Sequence, residues 1–144
     1  MLGPRLTAVT LGVRDIAASA KFYEELGFRR KLRKTGDEIA FFDAGSLALI
    51  LWDMSKLAED EGLAGQSPAA FRGAALAWNC PGPAEVDAVL AKAVKAGAGL
   101  LREAGKTDYG GYRGYFADPD GHAWEVVHAP GFDFTFDGRL ILPD

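Results

Sequence analysis

The feature that most constrains this chain is that its pattern is written twice. The first copy opens with Leu6 to Val13 (LTAVTLGV), an apolar and β-branched run that reads as a strand. Asp15 follows at a helix-capping position, where its carboxylate accepts an otherwise unpaired amide. In IAASAKFYEEL the residues Ile16, Ala20, Tyr23 and Leu26 share one helical face, and Gly27 suits the left-handed turn that ends a helix. The spacing therefore predicts a helix over Asp15 to Leu26. Three short strands are expected next, at Arg29 to Lys34, Glu38 to Asp43 and Ser46 to Trp52. Lys34-Thr-Gly-Asp and Asp43-Ala-Gly-Ser supply their turns.

The second copy repeats the order. Ala74 to Asn79 reads as a strand, and Pro83 stands where a first helical residue belongs. Val86, Val89, Leu90, Ala93 and Val94 form one stripe over Ala84 to Ala96, closed by Gly97. Strands follow at Gly99 to Ala104, Tyr112 to Ala117 and His122 to Val127, the last two joined by the turn Asp118-Pro-Asp-Gly. Two copies make a duplication, not a solenoid. The fold class expected is α+β, with two tandem βαβββ modules forming a curled mixed sheet around a concave cavity. Concave surfaces are where small ligands bind. One domain is expected over residues 1–144, with module one at about 5–53, a linker at about 54–71 and module two at about 72–129. Residues 130–144, carrying Phe132, Phe134 and Phe136, are expected to pack as an extended arm.

Charge and cysteine content exclude several classes of function. The net charge is −4, so the basic footprint of a nucleic-acid binder is missing and an anionic membrane surface is disfavoured. That sign suits a cationic ligand. A lone Cys80 closes no disulfide within the chain. The beginning lacks the pattern of a secretory signal, and no apolar run approaches the roughly 18 residues a membrane span needs. A cytoplasmic protein is the expectation.

Two blocks carry a family resemblance: TLGVRDIAASAKFYEELGF in the first copy and GYFADPDGHAWEVVHAP in the second. With them the chain resembles the vicinal-oxygen-chelate superfamily, which holds glyoxalase I, extradiol dioxygenases, fosfomycin-modifying enzymes and bleomycin-resistance proteins, from about Leu6 to Pro130. The resemblance implies a glyoxalase-like domain and a homodimer. It also implies four metal ligands, one in the first and one in the last strand of each module. Counting back from Val13 and Cys80 puts Ala8 and Ala75 at the first-strand positions. Aligning Gly45 with Gly121 puts Leu49 opposite Glu125. Three of these four side chains cannot coordinate a divalent ion, and Zn²⁺ takes three or four protein ligands. No metal residue and no cofactor is therefore expected. His122 and His128 read as turn and surface residues, because strand alternation puts Glu125 on the other face.

The face carrying those positions presents Ala8, Thr10 and Gly12 in one module and Ala75, Ala77 and Asn79 in the other. Small side chains there leave room for an organic ligand. Glu125 projects to the same face, where a carboxylate can serve as general acid or base. Arg113 and Tyr115 alternate on the neighbouring strand, and by resemblance to the phosphonate-binding members they face the cavity. Arg113 can hold a carboxylate or phosphate bidentately, or pair with Glu125 as a structural bridge. Gly110, Gly111 and Gly114 around Tyr112 read either as a closing loop or as a turn with unusual backbone angles. Trp52 and Trp124 are expected against the helices, with Trp78 in the core.

The candidate catalytic residues are thus Glu125 and Tyr115, and the candidate ligand-binding residues are Arg113, Asn79, Thr10 and Tyr112. The leading expectation is a metal-free small-molecule-binding protein like the bleomycin-resistance branch. The alternatives are a lyase or isomerase using Glu125 as general base, a domain whose cavity its own side chains fill, and a metal-dependent lyase or dioxygenase if the ligand positions are shifted.

Overall fold

The computed structural model describes residues 3–144. In the first module β1 (Ala8–Val13) is followed by α1 (Ile16–Glu25), β2 (Arg29–Lys31), β3 (Ile39–Asp43) and β4 (Ala48–Asp53). Asp15 caps α1 as the sequence suggests, its carboxylate accepting from the Ala18 amide at 3.0 Å. Gly27 takes a positive φ of 103° just past the helix. The strands order as β1-β4-β3-β2, with β1 parallel to β4 and the rest antiparallel. Parallel neighbours need a crossover, and here α1 with β2 and β3 supplies it.

One face of this sheet carries the core. Leu11, Val13, Ala40, Phe42, Leu49 and Leu51 are all buried there, and the Tyr23 ring of α1 tilts against Phe42 with centroids 6.2 Å apart. The opposite face carries Ala8, Thr10, Gly12, Ile50 and Trp52 by register. Trp52 therefore turns away from α1, contrary to expectation. The short helix α2 (Met54–Asp60) lies against β1, where a side chain on Gly12 would meet the Met54 Cα at 3.2 Å. β2 is shorter than expected because Leu32 adopts a left-handed φ of 48° and Arg33–Thr35 coils into a 3₁₀ turn.

The second module repeats the plan with β5 (Leu76–Asn79), α3 (Pro83–Lys95), β6 (Gly99–Lys106), β7 (Tyr112–Ala117) and β8 (Ala123–His128), ordered β5-β8-β7-β6. Under α3 lie Phe116 and Trp124, stacked at 6.0 Å and 5° between planes, with Trp78 edge-on to Trp124. Val86, Leu90 and Ala93 bury the helix stripe, while Val94 is 48% exposed and so lies off it. The chain is thus α+β, with two βαβββ modules, each closing its own four-stranded mixed sheet.

By packing, residues up to Gln66 together with Asp133–Asp144 form one compact unit and Ser67–Phe132 another. The C-terminal segment is not an extended packed arm. It is a small hairpin of β9 (Asp133–Phe134) and β10 (Leu140–Ile141), turned at Asp137-Gly138, a dipeptide suited to tight hairpins. Phe132, Phe134 and Phe136 stay exposed on it. Among the described residues no helix is long and apolar enough to cross a membrane.

Candidate functional site

The register of β7 and β8 decides which side chains share a face. Tyr115 stands opposite Glu125, and Arg113 opposite Val127. On the other flank β5 sets Ala77 beside Glu125 and Asn79 beside Val127. Arg113, Tyr115, Glu125 and Asn79 therefore lie on the sheet face turned away from α3, all of them half-buried. The Tyr115 hydroxyl donates to Glu125 Oε2 at 3.2 Å. Burial raises the Tyr115 pKa above its ordinary value, and the charge and hydrogen bond of Glu125 raise it further. The Arg113 guanidinium pulls the other way, and nearby Tyr109 adds to the rise. The phenol thus keeps its proton at neutral pH, which makes it the donor and Glu125 the acceptor.

The structure answers the question of Arg113. Its side chain forms no hydrogen bond or ion pair among the described residues, and Glu125 takes its bond from Tyr115 instead. A bridging role for Arg113 is therefore excluded in this arrangement. The face holds a bonded phenol–carboxylate pair with an uncommitted guanidinium one step along the strand.

Tyr112 does not join this group. Strand alternation turns it to the α3 side, where its hydroxyl donates to Asp87 Oδ1 of that helix at 2.7 Å. It ties β7 to α3 rather than lining the face with Glu125. Thr10 belongs to the first unit, exposed on the face of its own sheet away from α1.

The glycines near Tyr112 have packing reasons. Gly110 carries a φ of 83° in the hairpin turn, and Gly111 lies under the Tyr109 ring, 2.6 Å from where its Cβ would stand. Gly114 lets Leu90 of α3 and the backbone of β6 approach closely. The turn before β8 is held by Asp118, whose carboxylate accepts from the amides of Asp120 and His122. Arg72 fastens the incoming loop to it, donating to the Asp120 carbonyl at 2.7 Å and to His122 Nδ1 at 2.9 Å. His128 Nδ1 donates to the Cys80 carbonyl at 3.2 Å, on the α3 side. Burial and the Glu85 carboxylate push the Cys80 thiol pKa up, so it is a poor nucleophile.

One sequence assignment needs correction. Leu49 is buried against α1, with β1 pairing Val9 to Leu49 and Thr10 to Ile50. The residue equivalent to Glu125 is Ile50. Glycine alignment slipped by one because Gly45 precedes β4 by a different step than Gly121 precedes β8. The donor set implied by the fold family thus becomes Ala8, Ile50, Ala75 and Glu125. Three aliphatic side chains and one carboxylate do not fit a divalent ion. Among the described residues no group of three or more His, Cys, Asp or Glu stands close enough to hold one.

Sequence reasoning missed Arg102 and Tyr109. β6 was expected to stop at Ala104, yet it runs to Lys106 through irregular register on both sides of Arg102. Such a bulge breaks the two-residue count on which facing is judged.

A family model, Glyoxalase/Bleomycin resistance protein/Dioxygenase superfamily, matches residues 5–126. A glyoxalase-related enzyme from Fulvimarina pelagi is 37% identical, with a TM-score of 0.86 over 97% of this chain and 99% of that one. A glyoxalase/bleomycin resistance protein/dioxygenase from Nocardioides is 25% identical, with a TM-score of 0.72 over 91% of this chain and 87% of that one. A lactoylglutathione lyase from Agrobacterium tumefaciens, 23% identical over 92% of this chain and 100% of that one at a TM-score of 0.67, shares the fold. No curated protein matches the chain.

Proposed function

The chain belongs to the Glyoxalase/Bleomycin resistance protein/Dioxygenase superfamily, and from that premise we propose that it binds a small organic molecule without a protein-held divalent ion. The ligand lies on the β7–β8 face, against Tyr115, Glu125 and Arg113. One observation carries this reading. The only carboxylate of the family's donor set is already hydrogen-bonded to a tyrosine, and its three companions are aliphatic.

A second reading, proton transfer by a lyase or isomerase, is favoured by the same bond. Glu125 would take a proton from a carbon next to a carbonyl, and Tyr115 would hold the developing oxyanion by its hydroxyl. Arg113 would orient the substrate. The reaction is then general acid–base chemistry, with no step assigned to a metal.

Elemental analysis of untagged protein, joined to a thermal-shift screen of small organic acids, amines and carbonyl compounds, tests both readings. Substoichiometric metal and no stabilisation by zinc, nickel, manganese or iron are expected, with at least one organic compound raising the melting temperature. Glu125→Gln separates binding from catalysis: a binding protein keeps most of its ligand affinity, and an enzyme loses turnover by about 10²–10⁴-fold. Stoichiometric, tightly bound metal would overturn the proposal.

A further inference from the structure

The acidic chain carries a local basic patch on the face just described. β6 pairs Arg102 with Tyr115 and Gly105 with Arg113, so Arg102 falls on the same face as Arg113, across the strand from it. Directly opposed side chains stand about 5 Å apart and diagonal ones about 7–8 Å, a gap one anionic group can bridge. Arg102 is exposed and Arg113 half-buried, and neither side chain forms a hydrogen bond or ion pair among the described residues. The neighbouring carboxylates Glu103 and Glu125 form no ion pair with them either. Gly105, opposite Arg113, leaves open space, with no atom within 4 Å of where its Cβ would lie. Across the face the charge runs from cationic at β6 and β7 to anionic at β8, with the Tyr115 hydroxyl between.

We propose that the ligand is an anion, carrying a phosphate or carboxylate group that sits between Arg102 and Arg113 with its remaining body toward Tyr115 and Glu125. The proposal rests on the ligand-binding reading of this face. Guanidinium forks match the oxygens of both groups, and a charge-assisted pair is stronger than a neutral hydrogen bond. Arg102 becomes a specificity-determining residue. Its role also reverses the inference from net charge, which pointed to a cation.

Titration of the full chain with inorganic phosphate at constant ionic strength tests this, read by calorimetry and by the NMR signals of the arginine side-chain Nε–H groups. Saturable binding is expected, with the Arg102 and Arg113 signals moving together. Arg102→Ala and Arg113→Ala are each expected to weaken it about 10-fold or more, the size of a lost charge-assisted bond. Lys34→Ala, an exposed change in the other unit, should leave it unaltered and so controls for net charge. Melting curves confirm that the variants fold. A parallel titration with acetate or succinate tells the two sources apart, since the tighter series names the group. Linear, unsaturable shifts with all of these anions would overturn the proposal, as would phosphate binding that survives both arginine changes. If a neutral or cationic compound instead binds this face while the anions do not, the anionic class falls and ligand binding stands. If no compound of any charge binds, both fall.

Discussion

Tyr115 couples the candidate site to pH. Its phenol is desolvated and stands beside the Glu125 carboxylate, so the folded chain holds that proton more tightly than the unfolded chain does. The resulting stabilisation is present in full below the ordinary tyrosine value of about 10 and is lost as pH rises through the higher folded value. Ultraviolet titration of tyrosinate should show late-ionising groups, Tyr112 on its Asp87 bond among them, one of which vanishes in Tyr115→Phe and moves toward the ordinary value in Glu125→Gln. An unmoved titration in Glu125→Gln would mean that the carboxylate does not stand beside the phenol. At this scale the sequence showed which residues share a face, because Arg113, Tyr115 and Glu125 alternate in recognisable strands. It did not show their partners. Whether Arg113 bonds Glu125 or stays uncommitted depends on side-chain reach across two strands, which no one-dimensional spacing encodes. Tyr112 illustrates the same limit, since its hydroxyl found Asp87 on the helix face.

At the scale of elements, β7 and α3 meet through Gly114. A Cβ there would stand 2.5 Å from Leu90 Cδ1, 3.0 Å from the Arg102 carbonyl oxygen and 3.1 Å from the Ala104 nitrogen. Leu90 can turn aside, but the backbone of β6 cannot. Gly114→Ala is therefore expected to cost about 1–3 kcal/mol in urea unfolding, the usual penalty of overpacking. Gly105→Ala, with open space around it, should stay within about 0.5 kcal/mol. Equal stabilities in the two variants would show that β6 and β7 are not packed as described. Helices and their ends were the most legible elements: Asp15 caps α1, Pro83 begins α3, and Gly27 and Gly97 follow the helices with positive φ. Capping is a local interaction, so its signal lies within a few residues. Strand ends were less legible. The left-handed Leu32 shortens β2 and a bulge lengthens β6, and neither leaves a strong local mark.

For the whole molecule, the family resemblance implies a homodimer. Phe134, Phe136 and Leu142 of the C-terminal segment are exposed, apolar surface of the kind a second copy can cover. Light scattering is expected to give twice the 15.4 kDa of one chain, and a monomer mass at micromolar concentration would contradict this. By itself the sequence determined the duplicated βαβββ plan and the family, because strand–helix periodicity and the Asp118-Pro-Asp-Gly turn are local patterns. It also showed that the metal-ligand positions are mostly aliphatic, even with one of them misplaced by a residue. Only the tertiary structure decided facing. A one-residue slip moves a side chain to the other side of a sheet, so Leu49 and Ile50 exchange roles while the composition stays the same. The same geometry gathers Arg102 and Arg113 into a positive patch on a chain of net negative charge. Net charge sums over the whole chain, whereas a ligand meets the local field, and that field is set by strand pairing.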